Sequence, residues 1–126
     1  MARAGLNEQI VTEAAARLVD SQGLDQLKIT ELANELGVRP SSLYGHVDGL
    51  EGLRRQLAIL GLQRIAEWIT NACLGYSGTE AIGRLMSAYR QFAIKHPGIY
   101  AAAVLPVDWD DQEWVEASNR VSGVIR

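Results

Sequence analysis

Hydrophobic residues recur along most of the chain at spacings of three and four, which is the pattern of helices with one buried face. The first predicted helix begins after the capping residue Asn7 and ends near Gln22, just before Gly23. Its predicted buried stripe is Ile10, Val11, Ala14, Ala15, Leu18 and Val19. The same periodicity continues to the end of the chain and predicts an all-α protein.

Residues 27–47 (LKITELANELGVRPSSLYGHV) contain two short apolar stripes separated by a glycine. The first stripe is Ile29, Leu32, Ala33 and Leu36, and the second is Leu43, Tyr44 and Val47. Thr30 is placed to cap the first helix, Gly37 to end it in a left-handed conformation, and Pro40 to open the second. Two helices joined by such a turn predict a helix-turn-helix, which places its second helix in the DNA major groove. An ordinary helical hairpin inside a bundle is the alternative.

The second helix of this motif carries the residues that we expect to contact DNA. Arg39, Pro40, Ser41 and Ser42 form its first turn, where side chains and backbone N–H groups can reach phosphates and base edges. We expect Arg39 and the serines to make base or near-base contacts, and we expect phosphate contacts from Thr30, Tyr44 and His46. Ser41 and Ser42 are also ordinary helix-start residues, so a purely structural role is the alternative for them.

The run ITELANELGVRPSSLYGHVDGLEGL resembles the DNA-binding region of the TetR family of bacterial regulators. The shared features are a capped helix, Ala-x-x-x-Gly-Val, a few polar residues, Leu-Tyr-x-His, and the acidic start of a long helix. The resemblance implies that Tyr44 and His46 contact phosphates. Gly45, Val47 and Gly49 depart from the family pattern, and the two glycines remove possible phosphate contacts, so we expect a modest affinity for DNA.

A long helix follows the motif and predicts two domains. Asp48 is placed to cap it, and its apolar pattern continues to about Leu74, roughly twice the average helix length of about 11 residues. Such a helix extends beyond a DNA-binding head and must enter a second core, with Gly61 as a possible bend. We therefore predict a DNA-binding domain over residues 1–50 and a helical effector-binding and dimerisation domain over residues 51–126, incomplete at its C-terminus.

Three further helices are predicted after the turn at residues 75–78. Ser77 or Thr79 can cap the first of them, which ends at Lys95-His96-Pro97-Gly98, and its stripe is Ile82, Leu85, Met86, Tyr89, Phe92 and Ala93. A short helix over residues 98–105 follows, ended by Pro106. The last helix opens at residues 108–111 and has a partial stripe of Trp114, Val115, Val121 and Ile125, which no later segment covers. The run AYRQFAIKHPGIYAAAV also resembles the ligand-binding region of one TetR branch.

The aromatic and sulfur-containing side chains of the second domain are candidates for an effector site. A pocket of such residues with few polar anchors favours an apolar or aromatic ligand, although each residue is also a plausible part of a plain core. The candidates are Trp68, Met86, Tyr89, Phe92, Tyr100 and Trp109.

The negative net charge of the chain argues against DNA binding unless its cations are concentrated on one face. The whole chain carries a formal net charge of −3, and residues 1–55 contain six Lys and Arg against eight Asp and Glu. Affinity for DNA comes largely from neutralising phosphates. A local basic face remains possible because several cations lie near the ends of the motif, namely Arg3, Lys28, Arg39, Arg54 and Arg55.

The sequence gives little evidence for a disulfide, a metal site, a membrane span or an enzyme. Cys73 is the only cysteine and the two histidines, His46 and His96, are fifty residues apart, so we expect no disulfide, metal site or cofactor. The chain has no secretory signal and no apolar run long enough for a membrane span, so we expect a cytoplasmic protein. An enzyme is the least supported class, because the sequence has no Gly-rich phosphate loop and no Cys/His nucleophile pair. Asp108, Asp110 and Asp111 could hold a cation, but they fit a solvated helix start better.

The combined prediction is a transcriptional regulator that contacts a palindromic operator as a twofold homodimer. We expect a repressor that a small apolar ligand releases from DNA, because moving two heads by a few ångströms misaligns both with half-sites spaced roughly 34 Å apart. We expect the 126-residue chain alone to pair poorly. The alternative is a helical small-molecule-binding or interaction module whose head no longer reads DNA.

Overall fold

The computed structural model describes residues 6–104 and 108–125, and these residues form α-helices and one short 3-10 helix (Leu24–Gln26) without any strand. The predicted all-α class is confirmed. In chain order the helices are α1 (Glu8–Gln22), α2 (Ile29–Leu36), α3 (Pro40–Leu43), α4 (Gly49–Cys73), α5 (Gly78–Lys95), α6 (Pro97–Ala103) and α7 (Gln112–Ile125). None of the described helices is long and apolar enough to cross a membrane.

The first helix follows the prediction closely. The side chain of Asn7 accepts a hydrogen bond from the backbone N–H of Ile10 at 2.8 Å, and Gly23 ends the helix with φ +95°. Ile10 is an exception to the predicted stripe, because it is 43% exposed. The buried face is centred on Val11, Ala15 and Val19, which leaves Ile10 at its edge.

The helix-turn-helix forms where the sequence predicts it, with one difference at its start. Gly37 ends α2 with φ +69°, and the N–H of Val38 reaches the carbonyl of Ala33 at 3.0 Å. The prediction that Thr30 caps this helix is wrong. Helix α2 begins two residues earlier than a Thr30 cap requires, so Lys28 holds the capping position with an extended backbone and Thr30 lies inside the first turn.

Helix α4 is the long connector that the sequence predicts. It is 25 residues long, and its buried side chains include Leu53 and Leu57 near the motif and Ile65 and Ile69 further along. Gly61 lies within the uninterrupted helix, and its role is close packing. A Cβ atom there would lie 2.9 Å from both the Ala103 Cβ and the Ile99 carbonyl oxygen, so glycine lets α6 approach α4.

The remaining helices pack around α4. The buried core extends from Val11 in α1 to Ala103 in α6, and residue 50 lies in the first turn of α4. The division into two domains at residue 50 stays a prediction. The predicted short helix ends at Ala103; Leu105 and Pro106 lie outside the described residues.

Helix α7 lies along α4 and buries much of its apolar stripe there. Trp114 and Ala117 pack with Ile59, and Val115 packs against this cluster. Val121 packs against the main core. Val115 and Val121 are therefore half-buried against these clusters and not uncovered as predicted. The side chain of Ile125 lies outside the described residues.

Candidate functional site

The first turn of α3 presents the residues predicted to contact DNA on one exposed surface. Leu43 is fully buried and fixes the helix against the core, whereas the side chains before it face solvent. The N–H of Ser42 donates to the carbonyl of Arg39 at 2.9 Å, which closes the turn. The exposed residues are Arg39, Pro40, Ser41 and Ser42. The arrangement can offer a guanidinium and two hydroxyls to a single groove.

The chain after α3 places the predicted phosphate contacts beside this turn. Tyr44 is 59% exposed and His46 is half-buried, while Val47 is buried and pins the segment to the core. Tyr44 and His46 line an open groove of about 480 Å³ between the motif, the start of α1 and α4. Thr30 is exposed on α2.

Only part of the predicted basic face carries free positive charge. Arg55 forms ion pairs with Asp111 and with Glu113, the latter at 3.0 Å, and the Arg55 guanidinium holds the pKa of Asp111 below its usual value. Lys28 and Arg39 are exposed, and neither forms an ion pair with any described residue. Arg3 lies outside the described residues. The cations of this face that form no ion pair with a described residue are therefore Lys28 just before α2, Arg39 in the turn before α3, and half-buried Arg54 on α4.

The two glycines that depart from the family pattern have different structural contexts. Gly49 begins α4 with φ +68°, a backbone conformation that strains any residue with a side chain. A lysine at this position, which could contact phosphate, would therefore be strained in this backbone. At Gly45 a Cβ atom would meet nothing closer than the Ser42 carbonyl oxygen at 3.9 Å. The packing of the described residues therefore does not require glycine at position 45.

Four of the six predicted effector-site residues lie in two aromatic pairs in the body of the protein. Trp68 and Phe92 meet edge to face with ring centroids 5.6 Å apart, and the His96 ring packs against both. Tyr89 and Tyr100 form a second edge-to-face pair at 5.7 Å, with their hydroxyls 3.5 Å apart. Burial and the Tyr100 hydroxyl raise the pKa of Tyr89 to about 12.

The other two candidates lie elsewhere. Met86 is 65% exposed on the outer face of α5, and Trp109 is 74% exposed. Trp109 packs edge to face on Trp114 with centroids 5.7 Å apart, so it belongs to the α7 side of the molecule. The structure therefore does not bring Met86 or Trp109 together with the Trp68–Phe92 pair.

Sequence reasoning missed a polar junction between α1 and α6. One carboxylate oxygen of Asp20 lies 2.8 Å from His96 Nδ1, and the other accepts the backbone N–H groups of Gly98 and Ile99 at 3.0 Å each. The available signal was a His-Pro-Gly helix start whose N–H groups need an acceptor. Seventy-six residues separate Asp20 from His96, so no local pattern identified the acceptor.

The described part of the chain contains no candidate metal site. Residues 6–104 and 108–125 contain no group of three or more His, Cys, Asp or Glu side chains placed to hold an ion. Asp108 instead accepts a hydrogen bond from the backbone N–H of Asp110 at 3.1 Å, and Asp111 pairs with Arg55.

Comparison with known proteins identifies sequence relatives and structures of the same fold. No family model matches the chain. It is 36% identical over 105 residues to the uncharacterized HTH-type transcriptional regulator YobS of Bacillus subtilis, covering 83% of this chain and 55% of that one. It is also 36% identical over 117 residues to the uncharacterized HTH-type transcriptional regulator Rv0681 of Mycobacterium tuberculosis, covering 92% and 54%. The chain thus spans about half the length of the curated relatives it matches.

Solved structures share the fold at lower identity. A protein with unknown function from Rhodococcus sp. RHA1 superposes with a TM-score of 0.76 at 22% identity, covering 95% of this chain and 64% of that one. A putative TetR-family transcriptional regulator from Vibrio parahaemolyticus gives 0.65 at 20% identity, with coverages of 92% and 64%. The TetR-family regulator PfmR from Thermus thermophilus gives 0.63 at 17%, with coverages of 91% and 68%. The resemblance indicated by the sequence is confirmed: this chain has the fold of TetR-family regulators and is a sequence relative of HTH-type transcriptional regulators.

Proposed function

We propose that the chain is the DNA-binding head and part of the effector-binding body of a transcriptional regulator. The observation that supports this most directly is the exposed first turn of α3, held in place by buried Leu43 and by the left-handed Gly37 before it. The two curated relatives are both named HTH-type transcriptional regulators. A purely structural hairpin does not require an exposed arginine and two serines at a helix start.

In this proposal α3 lies in the major groove. Arg39 reads a base, since a guanidinium can donate two hydrogen bonds to guanine O6 and N7. Ser41 and Ser42 make shorter contacts to bases or phosphates. Thr30 on α2 and Tyr44 and His46 after α3 flank this turn and bind phosphates, which fixes the register of the helix on the duplex.

The regulatory part of the proposal is repression that a small molecule relieves. A single head contacts few base pairs, so the working form is a twofold homodimer on a palindromic operator. A ligand that binds one arrangement of the two heads more tightly shifts the population toward that arrangement. A shift of a few ångströms between heads is then enough to misalign both half-sites.

The ligand proposed here is a small apolar or aromatic molecule bound near the two aromatic pairs. Half-buried Trp68 packs on the buried Phe92 ring, and the neighbouring hydroxyls of Tyr89 and Tyr100 can receive a single polar group. We exclude Met86 and Trp109 from this site because of their exposure.

A second candidate function follows from the departures in the head. Gly45 and Gly49 lack the side chains that contact phosphate in the resembling family, and Arg55 is already paired with two carboxylates. These features favour a helical module that binds a small molecule or a protein without reading DNA.

Selection of duplexes from a random-sequence library distinguishes the two functions. The chain is incubated with the library at fixed salt, and bound duplexes are sequenced over several rounds, alongside Arg39→Ala and the control Arg90→Ala. Arg90 is an exposed arginine on α5, so the control removes the same charge away from the motif. We expect a short half-site motif for the parent and the control, and its loss for Arg39→Ala. No enriched motif for the parent would support the second function.

A further inference from the structure

Asp20 lies where the DNA-binding head meets the body, and it is the last acidic residue of α1. Its side chain is 19% exposed. Three groups of the α5–α6 junction converge on its carboxylate: the Nδ1 atom of His96 and the backbone N–H groups of Gly98 and Ile99. The Asp20 side chain, which comes from a distant part of the chain, therefore accepts hydrogen bonds from the first N–H groups of α6. No residue at the start of α6 provides a side-chain cap of its own.

The opposite side of this junction reaches the aromatic pair proposed to contact the effector. The His96 ring lies edge to face with Trp68 at 6.0 Å between centroids, and it is tilted against Phe92 at 5.1 Å. The imidazole is therefore in contact with both the aromatic pair and the Asp20 carboxylate. A ligand that displaces either aromatic ring therefore changes the packing of His96, whose Nδ1 atom contacts Asp20.

The backbones of α1 and α6 are in close contact at this junction, so neither can move without the other. A Cβ atom on Gly98 would lie 2.1 Å from the Val19 carbonyl oxygen, so α6 rests directly on the last turn of α1. Gly98 and Ile99 are both buried. Packed interiors transmit a displacement because they are close-packed and poorly compressible.

We propose that Asp20 is a positioning residue that couples the aromatic effector region of the body to the orientation of the DNA-binding head. This inference rests on the proposed function for the identity of the two sites. Asp20 acts through His96 and the start of α6 on one side, and on the other through α1, which packs on the helix-turn-helix. Removing the Asp20 carboxylate should leave the aromatic region and the helix-turn-helix folded, but a change in one should no longer affect the other.

The chain contains a matched control for this idea. Glu13, on the same helix, forms an ion pair with Arg64 of α4, so it also joins the head to the body. Among the described residues it accepts no backbone N–H from α6, and it forms no hydrogen bond or ion pair with Trp68 or His96. Asp20→Ala and Glu13→Ala therefore remove the same formal charge and one contact with a distant side chain each, but only Asp20→Ala removes the acceptor of the Gly98 and Ile99 N–H groups.

The test is a double-mutant cycle read by amide hydrogen exchange on the unliganded chain. Phe92→Leu perturbs the body, and the exchange rates of the α1 and α2 amides report on the head. The substitution is introduced into four backgrounds: the parent, Asp20→Ala, Asp20→Asn and Glu13→Ala. We expect Phe92→Leu to change the head exchange rates at least about fivefold in the parent and in Glu13→Ala, the lower end of typical coupling. In Asp20→Ala the change should fall below about twofold. Asp20→Asn should be intermediate, because its amide oxygen still accepts the Gly98 and Ile99 N–H groups.

Three results overturn the inference: an undiminished effect of Phe92→Leu in Asp20→Ala, an equal loss of that effect in Glu13→Ala, or no effect in the parent. Asp20→Asn keeps the question open to measurement if Asp20→Ala does not fold. A parallel arm measures affinity for the duplex selected above and should give the same pattern. If no duplex is selected, the proposed DNA function fails, whereas the exchange measurement still decides the role of Asp20.

Discussion

Gly98 and Val19 are in backbone contact: a Cβ atom on Gly98 would lie 2.1 Å from the Val19 carbonyl oxygen. This approach joins α6 of the body to α1 of the head without an intervening side chain. The Asp20 carboxylate then holds the same helix start through two N–H groups. Head and body are therefore packed as parts of one continuous core.

We predict that Gly98→Ala destabilises the protein by about 1–3 kcal/mol, the usual cost of overpacking, because backbone atoms must move to admit the methyl group. Gly83→Ala is the control. Gly83 lies within α5, and a Cβ atom added to it would meet nothing within 4 Å, so the same substitution there should stabilise by roughly 0.5–1 kcal/mol through helix propensity. Urea unfolding of the two variants should give shifts of opposite sign. A stable Gly98→Ala would show that the α1–α6 contact is looser than described.

The turn of the helix-turn-helix gives a second prediction. Gly37→Ala should cost about 1–2 kcal/mol, because an L side chain is strained at its φ of +69°. Ala33→Leu should cost about 1–3 kcal/mol by overpacking a position that is only 1% exposed. Thermal melts check both. Parent-like stability in both variants would mean that the turn is not fixed by these two residues.

The tyrosine pair predicts a dependence of stability on alkaline pH. The pKa of Tyr89 is raised to about 12, so the folded state keeps a proton that the unfolded state loses near its ordinary pKa of about 10. This contribution is fully present below about pH 10 and is lost as the pH rises toward about 12. Tyr89→Phe should therefore lose less stability than the parent between about pH 8 and about pH 11 in urea unfolding. Tyr76→Phe, an exposed control, should follow the parent; an identical slope for Tyr89→Phe would contradict the buried pairing.

The ion pair between α4 and α7 predicts the opposite dependence. Arg55 lowers the pKa of Asp111, chiefly through their side-chain hydrogen bond. The resulting stability is present above the unfolded pKa of about 3.9 and is lost as the pH falls through the lower folded value. Asp111→Asn should therefore flatten the acid side of the stability profile. Glu113→Gln, whose side chain is 65% exposed, should change the profile less. Equal profiles for parent and Asp111→Asn would remove this pair from the account.

Local signals in the sequence predicted the parts of this fold that local chemistry determines. Asn7, Gly23 and Gly37 act within a few residues of their own positions, so they could be read without a structure. The spacing of leucines and isoleucines likewise predicted α4 to within a residue or two at each end.

Features that depend on distant packing were not predictable in this way. The periodicity of α5 could not tell that Met86 faces solvent while Phe92 is buried, because both lie on the same broad stripe. The stripe of α7 likewise could not show that Val115 and Val121 pack against buried clusters formed elsewhere in the chain. Asp20 was missed for the same reason, since its partners lie in a helix that is remote in sequence.

If the first turn of α3 reads DNA, substitutions there should change the binding of the selected duplex. Fluorescence anisotropy at one fixed salt concentration would compare the parent, Arg39→Ala and Tyr44→Phe on that duplex and on its single-base variants. Arg39→Ala should lose about 1–3 kcal/mol on the selected duplex and discriminate less at one base pair. Tyr44→Phe should weaken all duplexes about equally. Unchanged affinity and unchanged base preference in Arg39→Ala would contradict the assignment of α3 as the recognition helix.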